Sequence, residues 1–273
     1  MFLINGEPSE TISVHDRGLQ YGDGLFETLA VQNNQPLCWA RHFARLQLGC
    51  QRLKIDCPAE KLILSDVNRL CMDTKQAVLK MIITRGAGGR GYKSLQTELP
   101  TRIIAIYPWP DYPGENITHG VKVHICETRM GHNPILAGIK HLNRLEQVLA
   151  SNEWRDPDIA EGLVLDIEGN VIEGTMSNLF AVRGNLGYTP DLDRCGVEGI
   201  VREYILETAA ELNFEIEIKR IKLDDLLAVD EIFLCNSTFG IWPVRQIETH
   251  KFDPGSWSAR LREHLIKHQV IVG

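Results

Sequence analysis

Apolar positions change their spacing several times along the chain. Short alternating or continuous apolar runs predict strands, and spacings of three and four predict helices. FLI, the Asn5-Gly6 turn and TISV predict an opening hairpin. LFETLAVQ predicts a strand, ended by the turn Asn33-Asn34. Phe43, Leu46, Cys50 and Leu53 fall at helical spacing, and a second helix over AEKLILSDVNRLCMD follows Pro58. AVLKMIITR and TRIIAIYPW predict strands flanking the glycine-rich RGAGGRGY.

The second half continues the mixture. VKVHICET, GLVLDI and NVIEGTMSNLFAV predict strands, the last two split by Glu168-Gly169-Asn170. LAGIKHLNRLEQVLA predicts an amphipathic helix beginning near Lys140. GVEGIVREYILETAAELN predicts a glycine-led helix, and EIEIKRIKL a strictly alternating strand. DDLLAVDEIFLCNST predicts a helical turn entering a buried strand, and PGSWSARLREHLIKHQ a last helix with Pro254 at its start. DYPGENITHG, rich in turn formers, is the expected linker. These elements predict two α+β domains, residues 1–110 and 121–273, joined by residues 111–120.

Composition narrows the class. The chain has 273 residues, 44% hydrophobic and 24% charged, which is ordinary for a globular protein. A net charge of −7 argues against nucleic acid or an anionic membrane as the main partner. It leaves room for a small anionic substrate. No apolar run reaches the length of a membrane span, and the N-terminus lacks the pattern of a signal peptide. Seven scattered cysteines without a CxxC motif point to free thiols and the cytoplasm.

Candidate chemistry begins with Lys140, which closes the apolar run Ile135, Leu136 and Ile139. An amine at the end of such a run either snorkels to water or is kept neutral and nucleophilic by desolvation. A neutral amine forms a Schiff base with a carbonyl. A pyridoxal phosphate site would also need a carboxylate for the pyridine nitrogen, a phosphate cradle and a lid. Glu173, the glycines leading CGVEGIVREYI, Ser237 with Thr238, and Arg45 are candidates for the first two. RGAGGRGY is a candidate flap, with Arg85 and Arg90 available for a substrate carboxylate. Its literal G-x-G-x-x-G does not lead into a helix, which disfavours a dinucleotide site. His119, His124, His132 and His141 form no metal set, and no G-x-S-x-G occurs.

The ordered blocks YGDGLFET, RHFARL, GIKHLNRL, EGTMSNLF, GVEGIVRE and CNSTFGIWPV resemble the fold-type IV pyridoxal phosphate enzymes. Those enzymes share a D-amino acid aminotransferase-like fold. The resemblance implies a two-domain α+β fold with the cofactor at the domain interface, and a homodimer. It implies that Lys140 carries pyridoxal 5′-phosphate and moves protons, and that Glu173 pairs with the pyridine nitrogen. Arg45, the backbone N–H groups of Gly199 and Ile200, and Ser237 and Thr238 would bind the phosphate. FLING, RGAGGRGY and NPILAGIKHLNRLEQVLA further resemble the family's aminodeoxychorismate lyases, which yield p-aminobenzoate and pyruvate for folate synthesis. Thr28 stands where those lyases carry a catalytic threonine, and Arg90 is the expected substrate contact. Such an enzyme would have a functional link to aminodeoxychorismate synthase. The competing expectation is an aminotransferase for D- or branched-chain amino acids, although branched-chain aminotransferases tend to follow Phe-Glu with glycine, not Thr28.

Overall fold

The computed structural model describes residues 1–95, 98–253 and 255–273. Pro254, expected to open the last helix, lies outside the described residues. Contacts divide the chain into two units, Met1–Pro110 with Ile139–Asn143, and Asp111–Gly138 with Arg144–Gly273.

The first unit contains β1 (Phe2–Ile4), β2 (Glu7–Pro8), α1 (Arg17–Tyr21), β3 (Gly24–Gln32), β4 (Gln35–Pro36), α2 (Trp39–Leu53), α3 (Glu60–Cys71), β5 (Gln76–Thr84) and β6 (Thr101–Pro108). Its strands form an antiparallel sheet in the order β2-β1-β6-β5-β3-β4. The opening hairpin returns through Glu7–Pro8, and Thr11–Val14 joins no strand. α2 buries His42, Phe43, Leu46, Gly49 and Cys50, one face of a helix. Leu29, Leu46, Ile63, Leu79 and Ile83 are fully shielded, each worth about 1.5–3 kcal/mol relative to exposure.

The second unit contains α4 (Glu115–Thr118), β7 (Val121–Met130), α5 (Leu145–Ser151), β8 (Ile159–Asp166), β9 (Asn170–Gly174), β10 (Asn178–Arg183), β11 (Leu186–Pro190), α6 (Ile200–Thr208), β12 (Glu215–Lys219), β13 (Ile221–Lys222), α7 (Leu223–Leu227), β14 (Glu231–Asn236), β15 (Gly240–Ile247), β16 (His250–Lys251) and α8 (Ser256–Lys267). A 3-10 turn, Ala209–Leu212, extends α6. The strands run in the order β12-β11-β10-β14-β15-β7-β8-β9-β13, with β16 on β15. Val123, Leu163, Val171, Leu179, Leu234 and Trp242 belong to one buried cluster.

Two departures from the sequence reading matter. Residues 111–120, expected as a linker, pack within the second unit: Tyr112 meets the Trp242 ring edge-on at 5.0 Å. Residues 136–143 are not helical, and the expected helix is reduced to α5. Gly138 has φ +81°, a left-handed conformation that stops a helix there.

Candidate active site

Lys140 is held in extended backbone against β3. The Phe26 N–H donates to Lys140 O at 2.9 Å and the Leu142 N–H to Gly24 O at 3.0 Å. The segment thus satisfies the edge of β3 that would otherwise lack backbone partners. It fixes the half-buried Lys140, whose Nζ lies 4.5 Å from the Phe26 ring centroid. Thr28, also half-buried, is two residues further along β3 and on the same face as Phe26. The first unit therefore brings Lys140 and Thr28 to one stretch of one strand.

The opposite face of β3 carries a network that the sequence reading missed. Glu27 is 1% exposed and accepts from Arg45 Nε at 2.8 Å, Arg45 Nη2 at 2.6 Å and His42 Nδ1 at 2.6 Å. Arg45, expected at a phosphate, thus holds a bidentate pair with Glu27. Burial works to raise the Glu27 carboxyl, but the Arg45 charge and the hydrogen bonds of Arg45 and His42 hold it down to about 2. Burial also lowers the His42 imidazole, against the pull of Glu27.

The depressed carboxyl gives a signed pH dependence. Its contribution to stability is fully present above the ordinary 4.5 and is lost as pH falls toward 2, a span worth about 3 kcal/mol. Glu27→Gln should flatten the acid limb of unfolding stability between those values and lower stability at neutral pH by a similar amount. Urea unfolding across a pH series measures both. An unchanged acid limb would show that Glu27 is not the group responsible.

The glycine-rich loop RGAGGRGY, the candidate flap, is tied down by α1. Arg17, 3% exposed, donates to Gly91 O and Tyr92 O, both at 2.8 Å, and Tyr21 Oη accepts from Gly91 N at 3.1 Å. Arg85 is not available to a substrate carboxylate. Its guanidinium donates to both Asp23 carboxylate oxygens and to the Leu53 and Lys54 carbonyls that end α2. Arg90 lies exposed in this loop.

In the second unit Glu173 lies near the end of β9 and is 5% exposed. Its Oε2 accepts from Val197 N at 2.9 Å and from Asn178 Nδ2 at 3.3 Å. Asn178 Nδ2 also donates to Val197 O at 2.9 Å, so Asn178 fastens the loop before α6 to the carboxylate. Gly199 is the N-cap of α6, and no side chain caps the helix there. A Cβ on Gly199 would lie 1.9 Å from Asn178 Oδ1, so only glycine fits this approach. Glu173, Val197 and Gly199 therefore meet at one asparagine.

Ser237 and Thr238 form the turn from β14 to β15. Asn236 Oδ1 accepts from Thr238 N at 2.9 Å, Thr238 Oγ1 at 3.1 Å and Phe239 N at 2.8 Å. Asn236 Nδ2 donates to Met176 O at 3.2 Å, which links this turn to the segment following Glu173. The same segment is organised by Glu161, which is fully buried and was not singled out in the sequence. Glu161 accepts from Gly162 N, Thr175 N, Thr175 Oγ1, Met176 N and Ser177 Oγ. Burial pushes its carboxyl up, against those donors.

Comparisons with known proteins bear on the family of the chain as a whole. Residues 24–247 match the model of the family described as amino-transferase class IV. The chain is 35% identical over 269 residues to an aminodeoxychorismate lyase of Vibrio harveyi, covering 97% of this chain and 99% of that protein. It superposes on the crystal structure of 4-amino-4-deoxychorismate lyase from Pseudomonas aeruginosa with a TM-score of 0.93 and 44% identity, covering 98% of each chain. A T.th. branched-chain amino acid aminotransferase, crystallised with pyridoxamine 5′-phosphate, gives 0.86 and 25% identity, covering 98% of this chain and 93% of that one. With the family model spanning both Lys140 and the Glu173–Asn178–Gly199 assembly, this chain belongs to the class IV aminotransferase family.

Proposed function

We propose that this chain is a pyridoxal phosphate-dependent lyase that splits 4-amino-4-deoxychorismate into p-aminobenzoate and pyruvate, a step of folate biosynthesis. The observation that carries the lyase reading over amino transfer is the contrast among relatives. Identity is 44% to a lyase and 25% to an aminotransferase, each over 98% of this chain. Thr28 adds to it, since its hydroxyl shares the β3 face of Phe26, against which Lys140 rests.

The residues present fit the cofactor. A buried carboxylate, Glu173, suits a protonated ring nitrogen. The uncapped start of α6 at a glycine that tolerates no Cβ suits a phosphate. Lys140 supplies the amine that would hold the aldehyde. Gly199 and Ile200 N–H groups, with the Ser237 and Thr238 turn, would bind the phosphate, and Arg45, while braced by Glu27, would add its charge. When bound, the cofactor supplies an electron sink for a carbanion at the amine-bearing carbon.

The protein's own part is positioning and proton transfer. Lys140 Nζ removes the proton from the amine-bearing ring carbon. The bond from the neighbouring ring carbon to the enolpyruvyl oxygen then breaks, and the ring becomes aromatic. The Thr28 hydroxyl, or Lys140, delivers a proton to the methylene carbon of the departing group, giving pyruvate. Aromatisation drives the step, so orientation is the larger demand on the protein. Arg90 on the flap would take a substrate carboxylate.

The reading includes a homodimer in the cytoplasm. Leu145, Val148 and Leu149 on α5 are 70%, 52% and 55% exposed, an apolar stripe at i, i+3, i+4 that a second copy would cover. The seven cysteines are all free, as suits a reducing compartment. Among the described residues no helix is long and apolar enough to cross a membrane. The substrate would come from an aminating enzyme, aminodeoxychorismate synthase.

A paired assay tests the reading. Formation of p-aminobenzoate should exceed transfer of an amino group from D-alanine or leucine to a keto acid. Faster amino transfer would overturn it in favour of the aminotransferase.

A further inference from the structure

We infer that the C-terminal helix α8 and the 3-10 turn after α6 together form a binding site for a zinc-class divalent cation, held by His264, His268 and Glu211. The candidate ligand atoms of these three residues lie within 4.8 Å of one another. His264 on α8 and His268, which caps it, are four apart and bring both imidazoles to one face, with ring centroids 4.5 Å apart and planes tilted by 40°. Glu211 comes from the turn Ala209–Leu212 and brings the carboxylate. Two imidazoles and a carboxylate with room for water form a common zinc donor set.

The independent sign of a ligand is His264 itself. Its side chain is only 8% exposed, and its Nε2 is buried with no hydrogen-bond partner. That atom faces Glu211 Oε2 at 4.0 Å, too far for a hydrogen bond and close to what a bridging ion needs. Two ligands of tetrahedral zinc stand about 3.4 Å apart, so a small rotation closes the gap. Glu211 is 61% exposed and can make that rotation. The two elements are fixed to each other nearby. Arg260 on α8 donates to Leu212 O at 3.1 Å, and Trp257 stacks on Phe214 at 4.0 Å. The last turn of α8 adds the negative end of the helix dipole. In the sequence these two histidines lie in a stretch that reads as an ordinary surface helix.

The test uses the cofactor-loaded enzyme, stripped with a chelator and titrated with zinc chloride by calorimetry. Cobalt chloride then reports the ligands through its visible spectrum. The expected result is one zinc per chain and a cobalt spectrum without a thiolate charge-transfer band. His268→Ala, at an exposed position beyond the core, should abolish that binding and leave turnover unchanged. Glu211→Gln should weaken it by about 10- to 100-fold or more, the range that loss of even an outer partner causes. No zinc bound by the parent protein, equal binding by His268→Ala, or a thiolate band would overturn the assignment.

Discussion

Lys140→Ala is expected to remove the covalent hold on the cofactor and to lower turnover by about 10³-fold or more, since one amine serves as both nucleophile and base. The backbone of residue 140 anchors this segment to β3 through its carbonyl, so the fold should survive the change. Borohydride treatment followed by peptide mapping reads the first effect. In the parent protein the label should fall on the peptide containing Lys140, and in the variant it should be absent. A small primary amine in the buffer should restore part of the proton transfer, because it replaces the lost base without replacing the anchor. Normal turnover by the variant would remove Lys140 from the chemistry.

Glu173→Gln is the second large effect. Glutamine preserves the shape and keeps an oxygen for the Val197 N–H, so the loop before α6 should hold. It removes the charge that would keep a pyridine nitrogen protonated. Loss of one such electrostatic partner costs about 10²- to 10³-fold in rate. The cofactor's absorption should shift while the thermal midpoint changes little. A rate within about twofold of the parent, far short of that loss, would mean that Glu173 only braces Asn178 and Val197.

Several parts of the candidate site stand out in the sequence because they sit in ordered local blocks. Glu173 belongs to a buried strand, and Gly199 starts a helix, so their local surroundings follow from their place in the chain. Lys140 stands out in the sequence as an unusual residue, but its backbone conformation does not follow from local spacing. Its flanking apolar residues have helical spacing, while Gly138 and pairing with β3 impose an extended path. Tertiary pairing outweighs a local propensity on the order of a few tenths of a kcal/mol per residue. Arg85 was misjudged for a similar reason: its partners, Asp23 and the end of α2, are distant in sequence.

The Glu27–His42–Arg45 network did leave a signal. In LFETLAVQ, Glu27 occupies the same alternating register as Leu25, Leu29 and Val31, all of them buried. A carboxylate in that register requires a buried partner, and RHFARL supplies an arginine three residues after a histidine on one helix face. Glu161 left no comparable signal, because its donors meet only when β8 and the turn after β9 pack together.

Cleavage of 4-amino-4-deoxychorismate by this chain is decided by product stoichiometry. The purified, cofactor-loaded enzyme is incubated with 4-amino-4-deoxychorismate, and p-aminobenzoate and pyruvate are quantified together. One pyruvate should form for each p-aminobenzoate with no keto acid added. An enzyme that retains its cofactor but yields neither product, or needs a keto acid acceptor to react, would contradict it.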